Sequence, residues 1–398
     1  MKILYVTELW SGFEDFIVNG KTEITGMPSF MKPLKYFLES EELDIDFVVI
    51  GKDKRDLNIN VDWLKRSNFF WVNNKSFLKI FALRKIITSG KYDFVYGQGE
   101  AGGWGNIACI LTKTPFGIRY YGTFLARHLN DSYLRFAMRN LLATVTYNIP
   151  KKFMLITNDG TKGDLVYQKL CVLKKLYTFN FWLNGVEKNE KIEANTNYSE
   201  LLKSYGIKES DTIFLYPARY DPWKRQDLAI DILNEINKKY AKAIKLVFCG
   251  HQYNKEYLNT LEQKSKQYNL TDNIIFMDAV DAKSLRSLTQ NASIVFSLYD
   301  LSNLGNVLIE ASLRGALIFT LDDGTTSFLV EDGVTGISIK KDKNFVSNAA
   351  SRIIEVLQDE QKSGDMKSKI RLRAQSTFLT WQERAQKEKE LILASIKQ

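Results

Sequence analysis

The sequence predicts an α/β chain of two Rossmann-like, doubly wound domains, and three observations carry that prediction. Short strand-like runs alternate with helix-length amphipathic segments from the first residues onward, the pattern of parallel sheets covered by crossover helices. The 398 residues exceed one ordinary core and suit two of about 190. From Lys188 to Asn197 the chain turns polar and charged, K-N-E-K-I-E-A-N-T-N, which is linker composition.

In the first half, residues 2 to 7 make the opening strand. Further strands are expected at Ile45–Ile50, Phe69–Val72, Tyr92–Tyr96, Phe116–Tyr121, Lys152–Thr157 and Leu176–Leu183. After the opening strand, S-G-F-E-D-F-I-V-N-G-K-T-E-I-T-G reads as a long loop before a helix from Gly26 to Glu39, and ordered loops of that length tend to be functional. Gly97 to Gly102 spells G-x-G-x-x-G. A dinucleotide fingerprint, however, follows the first strand of its unit and carries an acid at the end of the next. Here the next strand ends in Arg119, Tyr120 and Tyr121, so the glycines read as a close backbone approach. A nicotinamide-dependent oxidoreductase remains the weakest alternative.

The second half repeats strand and helix: strands at Ile213–Tyr216, Ile244–Cys249 and Ile274–Met277, with helices from Lys224, Tyr253 and Asp281. Its organising stretch follows the strand Ala292–Ser297, where Y-D-L-S-N-L-G-N-V-L-I-E leads through Gly305 into a helix whose apolar face is Val307, Leu308, Ala311 and Leu313. Such a turn leaves the first helical amides unpaired and the helix dipole positive, so a phosphate can rest on Gly305, Asn306 and Val307. Glu310, in the first turn or so, can accept two hydrogen bonds from a vicinal diol such as a ribose. Earlier, T-I-F-L-Y-P-A-R-Y-D-P-W-K-R puts Arg219 at a strand's carboxyl end and Lys224 at a helix start, a guanidinium fork and a point charge suited to a diphosphate. His251 in F-C-G-H-Q is a weak candidate base, with a structural role more common for such a residue.

R-Y-D-P-W-K, S-N-L-G-N-V-L-I-E-A, G-A-L-I-F-T, V-E-D-G-V-T-G and the hinge-like W-L-N-G-V-E together resemble the retaining GT-B glycosyltransferases of family 4. The resemblance implies two domains facing a cleft, residues 1–187 on the acceptor side and 188–379 binding the nucleotide sugar, with a last helix at about 380–398 returning to the first domain. It also implies hexosyl transfer with retention from a nucleotide-diphosphate sugar, with no cofactor or metal, to an acceptor glycan or lipid-linked sugar. Arg219 and Lys224 take catalytic roles in this reading, together with Tyr121, which stands where the family has a histidine. Ser302, Asn303, Leu304, Gly305, Asn306, Glu310 and Val280 fall on the donor side, the last beside the base; Gly26 and Gly102 fall on the acceptor side. Ser302 replaces the glutamate that the family places eight residues before Glu310. These two departures support the alternative of a non-catalytic sugar-nucleotide-binding protein.

Composition bounds the partners. Apolar and charged fractions are those of a soluble globular protein, no run approaches the roughly 18 apolar residues of a membrane span, and the N-terminus does not read as a signal peptide. Cys109, Cys171 and Cys249 have neither pairing nor zinc spacing and read as buried thiols in a reducing compartment, so the cytoplasm is expected. The net charge of +9 concentrates in the first half. There Lys65, Arg66, Lys75, Lys79, Arg84, Lys85 and Lys91 interleave with Phe69, Phe70, Trp71, Phe77 and Phe81, and Arg135 and Arg139 follow with Tyr133 and Phe136. This predicts peripheral attachment to an anionic membrane surface. Nucleic acid is not expected, since no recognition helix, zinc finger or RNA-binding aromatic signature is present.

Overall fold

The computed structural model describes residues 1–22, 27–74, 77–173, 176–188 and 198–397. They divide into two compact units, Met1–Gly185 with Leu379–Gln398, and Val186–Phe378. Most of the linker stretch, Lys75 and Gly26 lie outside the described residues.

The first unit runs β1 (Lys2–Glu8), α1 (Ser11–Ile17), α2 (Met31–Glu39), β2 (Asp44–Gly51), α3 (Asp62–Lys65), β3 (Phe69–Asn73), α4 (Lys79–Gly90), β4 (Phe94–Gln98), α5 (Gly99–Thr112), β5 (Phe116–Tyr120), α6 (Tyr133–Arg139), α7 (Leu141–Asn148), β6 (Phe153–Thr157), α8 (Gly163–Leu170) and β7 (Thr178–Trp182). Its parallel sheet has seven strands in the order β3-β2-β1-β4-β5-β6-β7. Central strands are buried on both faces, which is why I-L-Y-V in β1 is a continuous apolar run rather than an alternating one. Residues of α1, α2 and α3 cover one face, and those of α4 to α8 the other.

The second unit runs α9 (Tyr198–Ser204), β8 (Thr212–Pro217), α10 (Gln226–Asn237), β9 (Ile244–Cys249), α11 (Lys255–Gln267), β10 (Ile274–Met277), α12 (Ala282–Asn291), β11 (Ile294–Ser297), α13 (Asn306–Leu313), β12 (Ile318–Leu321), β13 (Ile337–Ile339), α14 (Phe345–Gln358) and α15 (Glu360–Thr377). Its parallel sheet has six strands, β10-β9-β8-β11-β12-β13. In each sheet the strand order reverses beside the first strand of the unit, the topology that opens a crevice at the strands' carboxyl ends. The last helix, α16 (Trp381–Lys397), belongs to the first unit and packs on α2.

Three expectations change. The stretch after β1 is not all loop: α1 forms because Phe13, Phe16 and Ile17 recur at helical spacing and all three are buried. The next helix starts at Met31, not Gly26. Gly102 is a packing residue rather than a site residue, because a Cβ there would stand 2.7 Å from the Gly97 carbonyl carbon. The glycine motif thus lets α5 lie against β4.

The basic and aromatic run is also divided. Strand alternation sends Phe69 and Trp71 to one core and Phe70 to the other, so of its aromatic residues Phe77 and Phe81 are the ones that stand exposed.

Candidate functional site

In the second unit, β8 delivers Arg219 just beyond its last residue, and a single helical turn at Pro222–Lys224 sets Lys224 before α10. Asp221 precedes the proline and holds Arg219 through an ion pair of 3.0 Å. The guanidinium also lies 4.4 Å from the Tyr253 ring, which projects from the loop after β9. The Lys224 ammonium sits 3.6 Å from the Tyr299 ring and 3.8 Å from Trp223. Both cations therefore rest against aromatic faces beside the strands' carboxyl ends.

The turn between β11 and α13 is tied directly to this loop. Arg225 grips Asp227 with two hydrogen bonds, of 3.0 and 2.9 Å, and reaches Asp300 at 3.2 Å. The amide of Asp300 donates to the Trp223 carbonyl at 3.0 Å, and the Tyr299 hydroxyl donates to the Pro217 carbonyl at 3.2 Å. The Tyr216 hydroxyl joins both loops, donating to the Lys224 carbonyl and accepting from the Leu298 amide. So the two constellations found in the sequence stand on one hydrogen-bonded frame.

Gly305 is the residue that opens α13, in extended geometry, and the helix runs eight residues from Asn306. Glu310 is its fifth residue and so lies in the second turn, with its carboxylate 3.8 Å from the Arg314 guanidinium. Ser302 takes φ +67°, a left-handed conformation that costs a non-glycine residue on the order of 1 kcal/mol. Beside it, Asn303 corrects the sequence reading. Its side chain is fully buried, accepting from the Tyr299 amide at 2.8 Å and donating to the Tyr299 carbonyl at 2.7 Å and to Asp323 at 3.1 Å. It shapes the loop and does not face a ligand. Leu304 is buried too, so only its backbone is available. Val280 follows β10, and its amide interacts with the Cys249 thiol, whose pKa burial pushes up to about 11. His251 is exposed, and its carbonyl accepts from Tyr220 and Tyr253.

In the first unit, Tyr121 follows β5 with its hydroxyl donating to the Phe30 carbonyl at 3.0 Å. Burial raises its pKa, and the nearby Arg119 lowers it less, so the phenol stays protonated. That makes it a hydrogen-bonding group and not a base at neutral pH. Beneath it lies a cluster that the sequence did not reveal. Arg119 is fully buried, pairs with Glu388 of α16 and lies 3.9 Å from the Tyr121 ring. Arg384 bonds Glu388 at 2.9 Å and the Leu183 carbonyl at 2.9 Å, and the Tyr96 hydroxyl donates to Glu388 at 2.6 Å. Burial alone would raise the Glu388 pKa, but the two guanidinium groups outweigh it and hold the carboxyl below its ordinary value. Glu8, ending β1, is shifted upward by burial and then by Glu100. Gly122, at φ +82°, lets the chain pass Asp159, whose carboxylate a Cβ would meet at 2.2 Å. Among the described residues, no group of three His, Cys, Asp or Glu could hold a metal, and no helix is long and apolar enough to cross a membrane.

The class follows from fold and site together: two Rossmann-like domains of GT-B type, one with a cation pair and a glycine-led helix N-terminus at the strands' carboxyl ends. Residues 197–373, which lie within the second unit, match the family described as Glycosyl transferases group 1. The chain is 21% identical over 201 residues to trehalose synthase of Pyrococcus horikoshii, and 22% identical over 183 residues to N-acetyl-alpha-D-glucosaminyl L-malate synthase of Bacillus anthracis. Those alignments take in 48% and 46% of this chain, and the chain spans only 46% of the length of each of these relatives. The crystal structure of Anabaena HepE in complex with UDP superposes with a TM-score of 0.72 at 18% identity, covering 99% of this chain and 100% of that one. The same protein has also been crystallised with UDP-glucose.

Proposed function

We propose that the protein is a retaining glycosyltransferase that moves a hexose from a nucleoside-diphosphate sugar, without a metal, to a lipid-linked or cell-surface glycan precursor. One observation carries the reading: Arg219, Lys224 and the amino end of α13 share a single hydrogen-bonded frame inside a group 1 glycosyl transferase domain. Arg219 and Lys224 offset the charge that grows on the leaving diphosphate, each charge-assisted bond contributing about 1.5 to 3 kcal/mol, and most of it in the transition state. The first amides of α13 bind a phosphate oxygen, and Glu310 accepts from the ribose diol. The acceptor attacks from the face the diphosphate leaves, which retains the anomeric configuration. The complexes of Anabaena HepE with UDP and UDP-glucose support the donor class. In this reading the protein works in the cytoplasm, peripherally on the inner face of the membrane, where an excess of cations favours anionic lipid.

The test is transfer from a panel of UDP- and GDP-sugars, with thermal shift on the same panel to select the donor. Arg219→Ala and Lys224→Ala should each lower turnover more than tenfold while melting like the parent, and unchanged transfer would remove the proposal. A second reading, binding without transfer, draws on Ser302 and on a Tyr121 hydroxyl committed to the Phe30 carbonyl. Tight UDP binding with no sugar release to any acceptor or to water would favour it.

A further inference from the structure

We propose that the helical layer α4–α8 of the first unit seats the protein on an anionic bilayer by inserting apolar side chains as well as by charge; this rests on the membrane location proposed above. The two faces of the first sheet are covered differently. On one, α4 packs beside α5, α5 beside α7, and α7 beside α8, with α6 against both α7 and α8, so the layer is continuous. Its outer side is apolar to an unusual degree. Phe77, Leu78 and Phe81 at the start of α4 are 62–75% exposed, and Leu134, Met138 and Leu141 across α6 and α7 are 68–71% exposed. Leu134 and Met138 stand four residues apart on α6 and so share one face, with Arg135 and Arg139 edging the same hollow, and Leu141 opens α7 just beyond the break at Asn140.

Charge selects the occupant. The helices of this layer expose Arg84, Lys85, Arg135 and Arg139 against the acids Glu100 and Asp164, while Asp131 in the preceding loop pairs with Arg139 at 2.8 Å and lies 3.8 Å from Arg135. Helices α1, α2, α3 and α16 on the other face mix both signs, with Glu14, Asp15, Glu39, Asp62, Glu383 and Glu390 among their acids. A second copy of this chain would set cations against cations, which disfavours pairing of the layer with itself. An anionic lipid surface matches the cations, and its acyl region takes up leucine, methionine and phenylalanine side chains. Contacts of the apolar kind survive salt, whereas charge attachment fades as the screening length falls to about 8 Å at physiological ionic strength and below that at higher salt.

The experiment is sedimentation of the full chain with phosphatidylcholine vesicles and with vesicles containing phosphatidylglycerol, at low and high salt. The parent should sediment with the anionic vesicles and retain part of that binding at high salt. The double variant Leu134→Glu/Met138→Glu should lose at least tenfold in bound fraction with an unchanged melting temperature, because both side chains are exposed. Leu57→Glu, outside the layer, should bind as the parent does. Equal binding of the double variant and the parent would overturn this surface while leaving the membrane location standing. Absence of parental binding to either vesicle would overturn the location and the surface with it. A parental dimer in sedimentation velocity that the double variant dissociates would make the layer an interface between copies and overturn the proposal.

Discussion

Each unit places an arginine at the carboxyl edge of its sheet, and the two have opposite fates. Arg219 is partly exposed, held by one carboxylate and by the Tyr253 and Trp223 rings, contacts that a ligand can displace. Arg119 is fully buried under α16, bound to Glu388, and has no route to a ligand without unpacking the helix. Sequence position alone makes them look alike. What separates them is the partner: an aspartate two residues away on the same loop, against a glutamate brought from the far end of the chain. A cation satisfied locally remains available for chemistry, whereas one satisfied by a distant helix becomes part of the architecture.

Variants at each arginine's partner sharpen this contrast, and the largest effect should fall on the buried side. Glu388→Ala leaves two buried guanidinium groups without their acid and should cost about 3–5 kcal/mol in denaturant unfolding. Arg219→Ala should leave the unfolding midpoint where it is and remove more than tenfold of turnover. Stability loss at Arg219, or none at Glu388, would break the comparison. Lys151 supplies an intermediate case, a buried amine with no ion pair among the described residues, donating to the Thr146 carbonyl at 2.7 Å and lying 3.8 Å from the Tyr177 ring. Burial pushes its pKa down to about 7. In the unfolded chain the value is about 10.4. Between these limits the unfolded state holds the extra proton, so raising the pH from 7 to 9 should stabilise the parent relative to Lys151→Met. The gain is at most about 1.4 kcal/mol per pH unit. Parallel melting curves for the two proteins across that window would contradict the assignment.

Smaller effects test the exposed side. Asp221 competes with a diphosphate for Arg219, so Asp221→Asn should tighten UDP binding a few-fold by calorimetry. Weaker binding would mean that Asp221 positions Arg219 instead. Ser302→Ala should raise the donor KM a few-fold, and a large rate gain in Ser302→Glu would show that serine impairs the native site.

Much of the fold was legible because strands in a parallel sheet are short apolar runs, and Ile244–Cys249 and Ile274–Met277 fall where the residues place them. The missed α1 is seven residues long, and its three core residues follow a glycine and are interrupted by Glu14 and Asp15, which together read as loop. At the candidate site, the positions of Arg219 and Lys224 beyond β8 and of Gly305 before α13 were legible because strand, turn and helix fix where such residues emerge. Asn303 was misassigned because sequence does not show which way a polar side chain turns, and here it turns inward onto Tyr299. The Arg119–Glu388 pair joins residues 269 positions apart, which no local pattern announces. The basic and aromatic run was legible only in part for a related reason: composition adds up residues that strand alternation then divides between two faces.

Calorimetric titration of UDP and GDP in chelator-containing buffer tests most directly whether Arg219 and Lys224 form the diphosphate site. The parent should bind at least one of them without metal, and Arg219→Ala and Lys224→Ala should each weaken that binding at least tenfold with unchanged melting temperatures. Equal affinity in the parent and both variants, or no binding of either nucleotide to the parent, would contradict that assignment.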